Sequence, residues 1–256
     1  MTQYAIVGGG RLACHFSEYF RLLEIFHTGW ARDLRSPLNT FGLTDPKQRL
    51  KAAVGESDRV LLLVPDNGIV EVLSKYPFLH EKQLIHCSGS LAIPGVAGAH
   101  PLMTFPQRLY PLETYKRIPF VLEAGSGFDH LFPDLPNPHF VIDAGDKDRY
   151  HAMCVMAGNF TQLLWQGITE RFEQQFELPA AALHPYLKQV VENFVEAPDS
   201  ALTGPLTRDD HETVERNFNS LAGDHLQALY AAFIHFHEQG KGRATGPERA
   251  RLEKVI

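Results

Sequence analysis

The sequence predicts an α/β protein in which an N-terminal doubly wound sheet precedes an all-helical C-terminal domain, and three features carry that expectation. A glycine turn joins a short apolar strand to a helix at the start of the chain. Apolar runs of strand length then alternate with helical segments as far as Cys87, and after Asp146 the pattern changes to long helices.

Taken in order, Gln3-Tyr-Ala-Ile-Val7 reads as a buried strand, Gly8-Gly9-Gly10 as a turn and Leu12 to Leu23 as a helix. Phe26 to Arg32 reads as a second strand. Thr44-Asp45-Pro46 is a helix start, with a capping side chain before a first-turn proline, and that helix should end near Gly55. Arg59-Val-Leu-Leu-Leu-Val64 is a continuous apolar run, as expected for a parallel strand covered on both faces, and Gln83-Leu-Ile-His-Cys87 repeats it. Residues 95–145 are rich in Pro and Gly and hold short strand candidates at Phe120–Glu123 and Phe140–Asp143 that would extend the sheet. Helices are expected over 147–176, 180–196, 210–221 and 224–239. The domains are therefore read as 1–145 and 146–256. The tail from Gly240, where Gly242 and Gly246 precede Pro247, reads as a surface end.

With 256 residues, 44% of them hydrophobic, the chain is long enough to bury one large core or two modest ones. A formal charge of −6 supplies no basic field of the kind that non-specific nucleic-acid binding needs, so no nucleic-acid partner is expected. Cys14, Cys87 and Cys154 form no C-x-x-C pair, which fits a reducing cytoplasm better than a disulfide framework or a thiolate zinc site. The N-terminus has no export signal and no apolar run is of membrane-spanning length, so neither export nor a membrane partner is expected. Thirteen histidines are scattered, and His235 and His237 point to different sides of one helix, so no metal is expected.

Gly8-x-Gly10-x-x-Ala13 fits the dinucleotide fingerprint of a Rossmann domain. The first glycine makes the tight turn, the second lets backbone approach a pyrophosphate, and amides at the helix start face the anion. Gly8, Gly9, Gly10, Arg11 and Leu12 are therefore candidate cofactor contacts; a purely structural turn is the competing reading. At the end of the second strand an acidic residue would bind a ribose hydroxyl and an arginine would accept a 2′-phosphate. If the strand ends at Ala31, Arg32 takes that place; if at Leu34, Arg35 and Ser36 do. Both registers favour NADP, with Asp33 as the dissenting residue and an ordinary solvated loop as the alternative. Val64, Pro65 and Asp66 follow the third strand and Ser88 the next, so they are candidate walls of a nicotinamide pocket, or else an ordinary helix start and turn.

Several stretches also carry a resemblance. Ile6-Val-Gly-Gly-Gly10, His86-Cys-Ser-Gly89, Gly98-Ala-His-Pro-Leu-Met103, Tyr150-His-Ala152 with Asn159-Phe160, and Ala201-Leu-Thr-Gly-Pro205 with Arg208-Asp209 are similar to a group of uncharacterised bacterial Rossmann-like proteins with a C-terminal helical domain of unknown function. The resemblance spans nearly the whole chain, and Ala201–Pro205 is its most specific part. That group is itself similar to pyrroline-carboxylate reductases, deazaflavin-dependent NADP oxidoreductases and 6-phosphogluconate dehydrogenase-like enzymes. The resemblance implies a helical second domain of the 6-phosphogluconate dehydrogenase-like type that dimerises, with NADP as cofactor. The β-hydroxyacid dehydrogenases carry a lysine four residues before a helix asparagine; here Val155 stands four before Asn159, so a lysine acid is not carried over.

Hydride transfer to a carbonyl or imine needs a proton group beside the reacting atom, and histidine suits it near neutral pH. His100 precedes Pro101 in what reads as a loop past the sheet's carboxyl edge and is the first candidate, against a structurally bonded histidine. His151 and Asn159 lie about 80° apart around the long helix and share a broad face. Asn159 would orient a substrate oxygen; His151 equally fits a capping or packing role. Thr203, Gly204, Pro205 and Arg208 would grip a substrate carboxylate, or else form an interhelical turn in which Asp209 or Asp210 caps the next helix. Phe160, Leu164, Trp165, Phe172 and Tyr230 read as core or dimer interface, and the run from Arg208 to Arg216 as a solvated helix face. The expected function is an NADP-dependent reductase or dehydrogenase of a small, carboxylate-bearing molecule, working as a homodimer; the alternative is a non-catalytic dinucleotide sensor or scaffold.

Overall fold

The computed structural model describes residues 3–240, so the tail expected beyond Gly240 lies outside the described residues. The chain divides into two compact units, one reaching Trp165 and the other starting at Gln166.

The first unit is built on seven described strands: β1 (Tyr4–Val7), β2 (His27–Trp30), β3 (Arg59–Leu62), β4 (Gln83–His86), β5 (Ala97–Pro101), β6 (Phe120–Glu123) and β7 (His139–Ile142). Their order is β2-β1-β3-β4-β5-β6-β7. Strands β1 to β5 are parallel, β6 runs antiparallel to β5, and β7 is parallel to β6. This is a Rossmann-type sheet extended by two reversed strands. Successive side chains of a strand point to opposite faces. Tyr4 and Ile6 accordingly pack with Phe16 and Phe20 of α1 (Arg11–Leu22) and with Phe120 and Phe132. Ala5 and Val7 pack on the other face with Leu50 of α2 (Pro46–Val54) and with Ile69 and Leu73 of α3 (Asp66–Lys75). Burial on both faces is why these strands read as unbroken apolar runs.

The local signals act as expected in α2, where the Asp45 carboxylate accepts the Gln48 amide at 2.7 Å, Pro46 opens the first turn and Gly55 ends it. The segment 95–145 adds β5, β6, β7 and two short helices, α4 (Leu112–Lys116) and α5 (Phe128–Leu131). Strand β5 corrects one expectation: His100 lies inside it, paired with Val121 of β6, and not in a following loop. Ala97-Gly-Ala-His-Pro101 has few strand-favouring side chains, so pairing with β4 and β6 decides its conformation, and Pro101 is tolerated at its last position.

The long helix is interrupted. It runs as α6 (Lys147–Val155), a wider π turn at Met156–Phe160, and α7 (Thr161–Phe176). The Thr161 hydroxyl donates to the Met156 carbonyl five residues back at 3.1 Å, closing that turn. The helical segment starts close to the boundary read near 145, but the first compact unit continues to Trp165 because the start of α6 is tied to the sheet. Lys147 pairs with Glu123 of β6, and the Tyr150 hydroxyl bonds His100 of β5 at 2.8 Å.

The second unit contains the rest of α7 with α8 (His184–Glu196), α9 (His211–Ser220) and α10 (Leu226–Gly240). Val214 and Ile234 are buried together against Leu206 and Tyr230. The Arg171 guanidinium grips both oxygens of Asp224 at 2.6 and 2.7 Å, tying α7 to the start of α10. Among the described residues no helix is long and apolar enough to cross a membrane.

Candidate functional site

In a doubly wound sheet the crevice opens at the carboxyl ends of the strands where their order reverses, here between β1 and β3. The Gly8 amide donates to the Trp30 carbonyl and the Leu63 amide to the Val7 carbonyl, both at 2.8 Å, fixing the chain as it leaves the sheet. Gly8 has φ +154°, and a Cβ there would collide with the Leu63 carbonyl, so the fold itself requires glycine. A Cβ on Gly9 would lie 3.0 Å from Ala31 Cβ and 3.6 Å from the Ser36 hydroxyl, whereas one on Gly10 would meet nothing within 4 Å. Gly10 is the N-cap of α1, contributes no side-chain cap, and no acidic residue follows in the first turn. The first amides of α1 are thus left for an anion. A groove of about 1150 Å³ opens here. Gly8, Gly9, Gly10, Arg11, Leu12, Arg32, Arg35, Ser36, Val64, Pro65, Asp66 and Ser88 all border it.

One corner of the groove is the loop after β2. The strand ends at Trp30, close to the shorter of the two registers, so Arg32 comes early in the loop. The Asp33 carboxylate accepts the Arg35 amide at 2.9 Å and the Arg35 guanidinium at 3.4 Å. Those bonds hold its carboxyl below the usual carboxylate range, the amide contributing most. Asp33 is therefore occupied inside its own loop. Asn39 fixes the same loop, accepting the Ala31 amide and donating to the Asp33 carbonyl, both at 2.8 Å.

At the other side, Asp66 in the first turn of α3 accepts the Ser88 hydroxyl at 2.7 Å and the Ser90 hydroxyl at 3.3 Å. Thr104 and Phe105 also border the groove, and sequence reasoning missed them. Their segment follows β5, itself unrecognised. Phe105 is anchored against His15 of α1, whose ring is held by the Tyr115 hydroxyl and the Pro106 carbonyl at 2.8 Å each.

His100 does not border the groove directly but packs against the loop that does. A Cβ on Gly89, next to Ser88, would stand 3.2 Å from His100 Nε2 and 2.6 Å from His151 Cδ2. The two rings meet edge to face with centroids 6.0 Å apart. Burial above all, and then the His151 and Lys147 charges, lower the His100 pKa to about 4. His86 is fully buried, its Nδ1 accepting the Ser88 amide at 3.2 Å while Nε2 has no hydrogen-bond partner among the described residues and lies 3.9 Å from a Glu123 carboxylate oxygen; burial above all lowers its pKa to about 4. The buried Lys147–Glu123 pair completes this cluster, and a Cβ on Gly98 would occupy its space. Asn159 lies exposed in the π turn, where each residue advances by less than the ~100° of an α-helix, which moves it toward the face of His151. Thr203, Gly204, Pro205 and Arg208 lie together in the loop before α9 in the second unit. Gly204 takes φ +111° and Asp210, not Asp209, caps α9 by accepting the Thr213 amide at 3.1 Å.

Residues 122–235 match a domain of unknown function (DUF2520). No curated protein matches the sequence. Among solved structures, the chain is similar to a Bacteroides fragilis protein named provisionally as an NADP oxidoreductase, at 20% identity and TM-score 0.71, covering 93% of this chain and 98% of that one. It is also similar to a reductive aminase from Aspergillus terreus in complex with NADPH and ethyl levulinate, at 15% identity and TM-score 0.62, covering 100% and 99%. An imine reductase variant from Myxococcus stipitatus in complex with NAD+ matches at 16% identity and TM-score 0.56, covering 100% and 99%. The shared fold is that of Rossmann oxidoreductases with a helical C-terminal domain.

Proposed function

We propose that this protein is a nicotinamide-dependent oxidoreductase that prefers NADP(H) and acts on the C=O or C=N group of a small molecule. The observation that carries the proposal is the glycine cradle. Gly10 leaves open space in front of an uncapped helix start, as a pyrophosphate requires, while Gly8 is needed for folding alone. Arg32 and Ser36 border the groove just after β2, which supports a 2′-phosphate contact there, and Asp33, the residue that would favour NAD, is bonded to Arg35. When bound, the nicotinamide supplies or accepts a hydride. The chain's residues then bind and orient. Val64, Pro65, Asp66 and Ser88 form one wall and Thr104 and Phe105 another, with His100 as the proton group, His151 packed against its ring, and Asn159 orienting the substrate oxygen.

The proposal extends to three further points. Arg208, which makes no salt bridge among the described residues, takes a substrate carboxylate with Thr203, Gly204 and Pro205. A second copy covers the apolar side chains left open on the helices, among them Phe160, Leu163, Tyr186, Phe194 and Phe236, giving a homodimer. Three free thiols support a reducing, cytoplasmic setting. Calorimetric titration with NADPH and NADH, followed by a metabolite screen at the nicotinamide absorbance, tests the reading, and failure of both cofactors to bind removes it. A non-catalytic dinucleotide sensor is the second reading, favoured by Val155 in the lysine position and by His100 standing behind the groove wall; cofactor binding without turnover across the screen would select it.

A further inference from the structure

Arg49 of α2 is fully buried and has no acid beside it. Its guanidinium donates to the Leu43 carbonyl at 2.8 Å and to the Ala31 carbonyl at 3.1 Å. Its Nε is sealed from solvent without a hydrogen-bond partner, and among the described residues no carboxylate forms a salt bridge with it. The two acids of the segment that leads from β2 to α2 are engaged elsewhere, Asp33 by Arg35 and Asp45 by the Gln48 amide. The other buried residues of α2, Leu50, Ala53 and Val54, are apolar. Burying a charge without a counter-charge is costly, and an apolar side chain would serve packing alone.

The two carbonyls that Arg49 holds mark the ends of one loop. Ala31 directly follows β2 and borders the groove, and Leu43 comes just before the Asp45 cap of α2. Between them Arg32, Asp33, Arg35, Ser36 and Pro37 border the groove as well, whereas Arg49 itself does not. A second tie runs beside the first, the Trp30 indole donating to the Pro46 carbonyl at 3.1 Å. We propose that Arg49 is a positioning and specificity-determining residue for the cofactor: it clamps this loop into a receptor for a phosphate monoester, whose charge supplies the anion that Arg49 lacks. This rests on reading the groove as a nicotinamide dinucleotide site, and it assigns part of the preference for a 2′-phosphate to a side chain behind the groove wall.

Two physical effects act through that clamp. A phosphate monoester carries nearly two negative charges at neutral pH. Arg32 and Arg35 are exposed, so water and salt screen their attraction for it, while a buried charge such as that of Arg49 is screened much less. The bonds to Ala31 and Leu43 are also charge-assisted, so the loop that carries Arg32 and Ser36 cannot leave its place without breaking one of the stronger kinds of hydrogen bond. NADH presents a neutral 2′-hydroxyl at the same point. The contribution of Arg49 therefore falls on NADPH, whereas a residue needed for folding alone would serve both cofactors equally.

Calorimetric titration of wild type, Arg49→Met and Arg49→Lys with NADPH and with NADH is the test. Arg49→Met should weaken NADPH about tenfold or more and leave NADH within about twofold, so that the ratio of the two affinities falls. Arg49→Lys keeps the charge but loses the planar fork that spans both carbonyls, and should recover part of that ratio. An unchanged ratio, including equal weakening of both cofactors, overturns the proposal. If neither variant folds, the wild type decides. The ¹⁵N resonance of the Arg49 Nε–H group, assigned through its own backbone signals, should shift further with saturating NADPH than with saturating NADH, and equal shifts overturn the proposal. Failure of both cofactors to bind wild type defeats the reading of the groove, whereas binding of both with the ratio and the resonance unmoved defeats the role of Arg49 alone.

Discussion

Gly8 and Gly10 are two residues apart in one turn, and the structure assigns them opposite liabilities. At Gly10 the backbone has φ −82° and ψ 179°, which alanine adopts without strain, and the added Cβ meets nothing within 4 Å. Gly10→Ala loses part of a favourable N-cap, at most ~1 kcal/mol. It also reduces the freedom of the unfolded chain, a gain of about 0.4–1 kcal/mol. Stability should therefore stay within ~1 kcal/mol of wild type. The methyl group, however, stands where a pyrophosphate would meet the amides of α1. Loss of one or two hydrogen bonds to a charged group, at roughly 1.5–3 kcal/mol each, should weaken NADPH about a hundredfold. Gly8→Ala drives a Cβ into the Leu63 carbonyl at φ +154° and should cost ~3 kcal/mol of folding stability or more. Thermal unfolding and calorimetric NADPH titration of both variants form the assay. A Gly10→Ala protein that binds NADPH as tightly as wild type would show that no dinucleotide lies across this turn.

Arg32→Ala should weaken NADPH about ten- to a hundredfold and leave NADH unchanged, a loss of roughly 1.5–3 kcal/mol; tighter binding of NADH than NADPH by wild type refutes the assignment of the loop after β2. Stability should fall with acid because His86 and His100, ordinarily near 6.5 but lowered to about 4 by burial, take up protons in the unfolded chain before the folded one. Their contribution is complete above about 6.5 and is lost as the pH falls toward about 4, at up to roughly 1.4 kcal/mol per pH unit for each histidine. Denaturant titrations of His86→Gln against wild type should show a shallower slope in that window, and an unchanged slope counts against burial as the cause. Lys147→Met strands the Glu123 carboxylate and should cost ~3–5 kcal/mol, with much of that recovered in the Lys147→Met, Glu123→Gln double variant; equal stabilities by chemical denaturation would contradict it. Sedimentation at micromolar concentration should find a dimer, and Phe194→Glu should shift it toward monomer if α8 contributes to the interface.

The parts of this structure that could be read from sequence are those governed by short-range chemistry. Val7-Gly8 announces its turn because the close approach of Leu63 leaves room for glycine alone, and Asp45-Pro46 announces α2 through a cap and a fixed φ. Strand β5 was not legible, since Ala97-Gly-Ala-His-Pro101 becomes a strand only through neighbours on both sides, and its absence from the reading misplaced His100 and hid Thr104 and Phe105. Asp33 was ambiguous for a similar reason. Whether a carboxylate beside a strand end faces a ribose or its own loop depends on the Arg35 amide, which no periodicity reveals. The π turn likewise leaves no mark in the apolar pattern, although it changes which face Asn159 occupies.

Lys147, Glu123, His86 and Tyr150 received no role because each looks ordinary in sequence, and their importance comes from meeting. A buried ion pair is weak as a source of stability, since desolvation of both charges offsets most of their attraction. Its effects on position and charge are stronger. Lys147 fixes the first turn of α6 against β6, which sets Tyr150 opposite His100 on the neighbouring strand. Its ammonium group adds to burial in keeping both His86 and His100 neutral. Gly98 and Gly89 then take on a meaning that turn chemistry does not supply, because a methyl group at the first would fall on the Glu123 carboxylate and at the second on the paired histidine rings. Two glycines, an ion pair and a hydroxyl thus hold one imidazole in a defined orientation and charge state just behind Ser88, and this is why the first compact unit takes in α6.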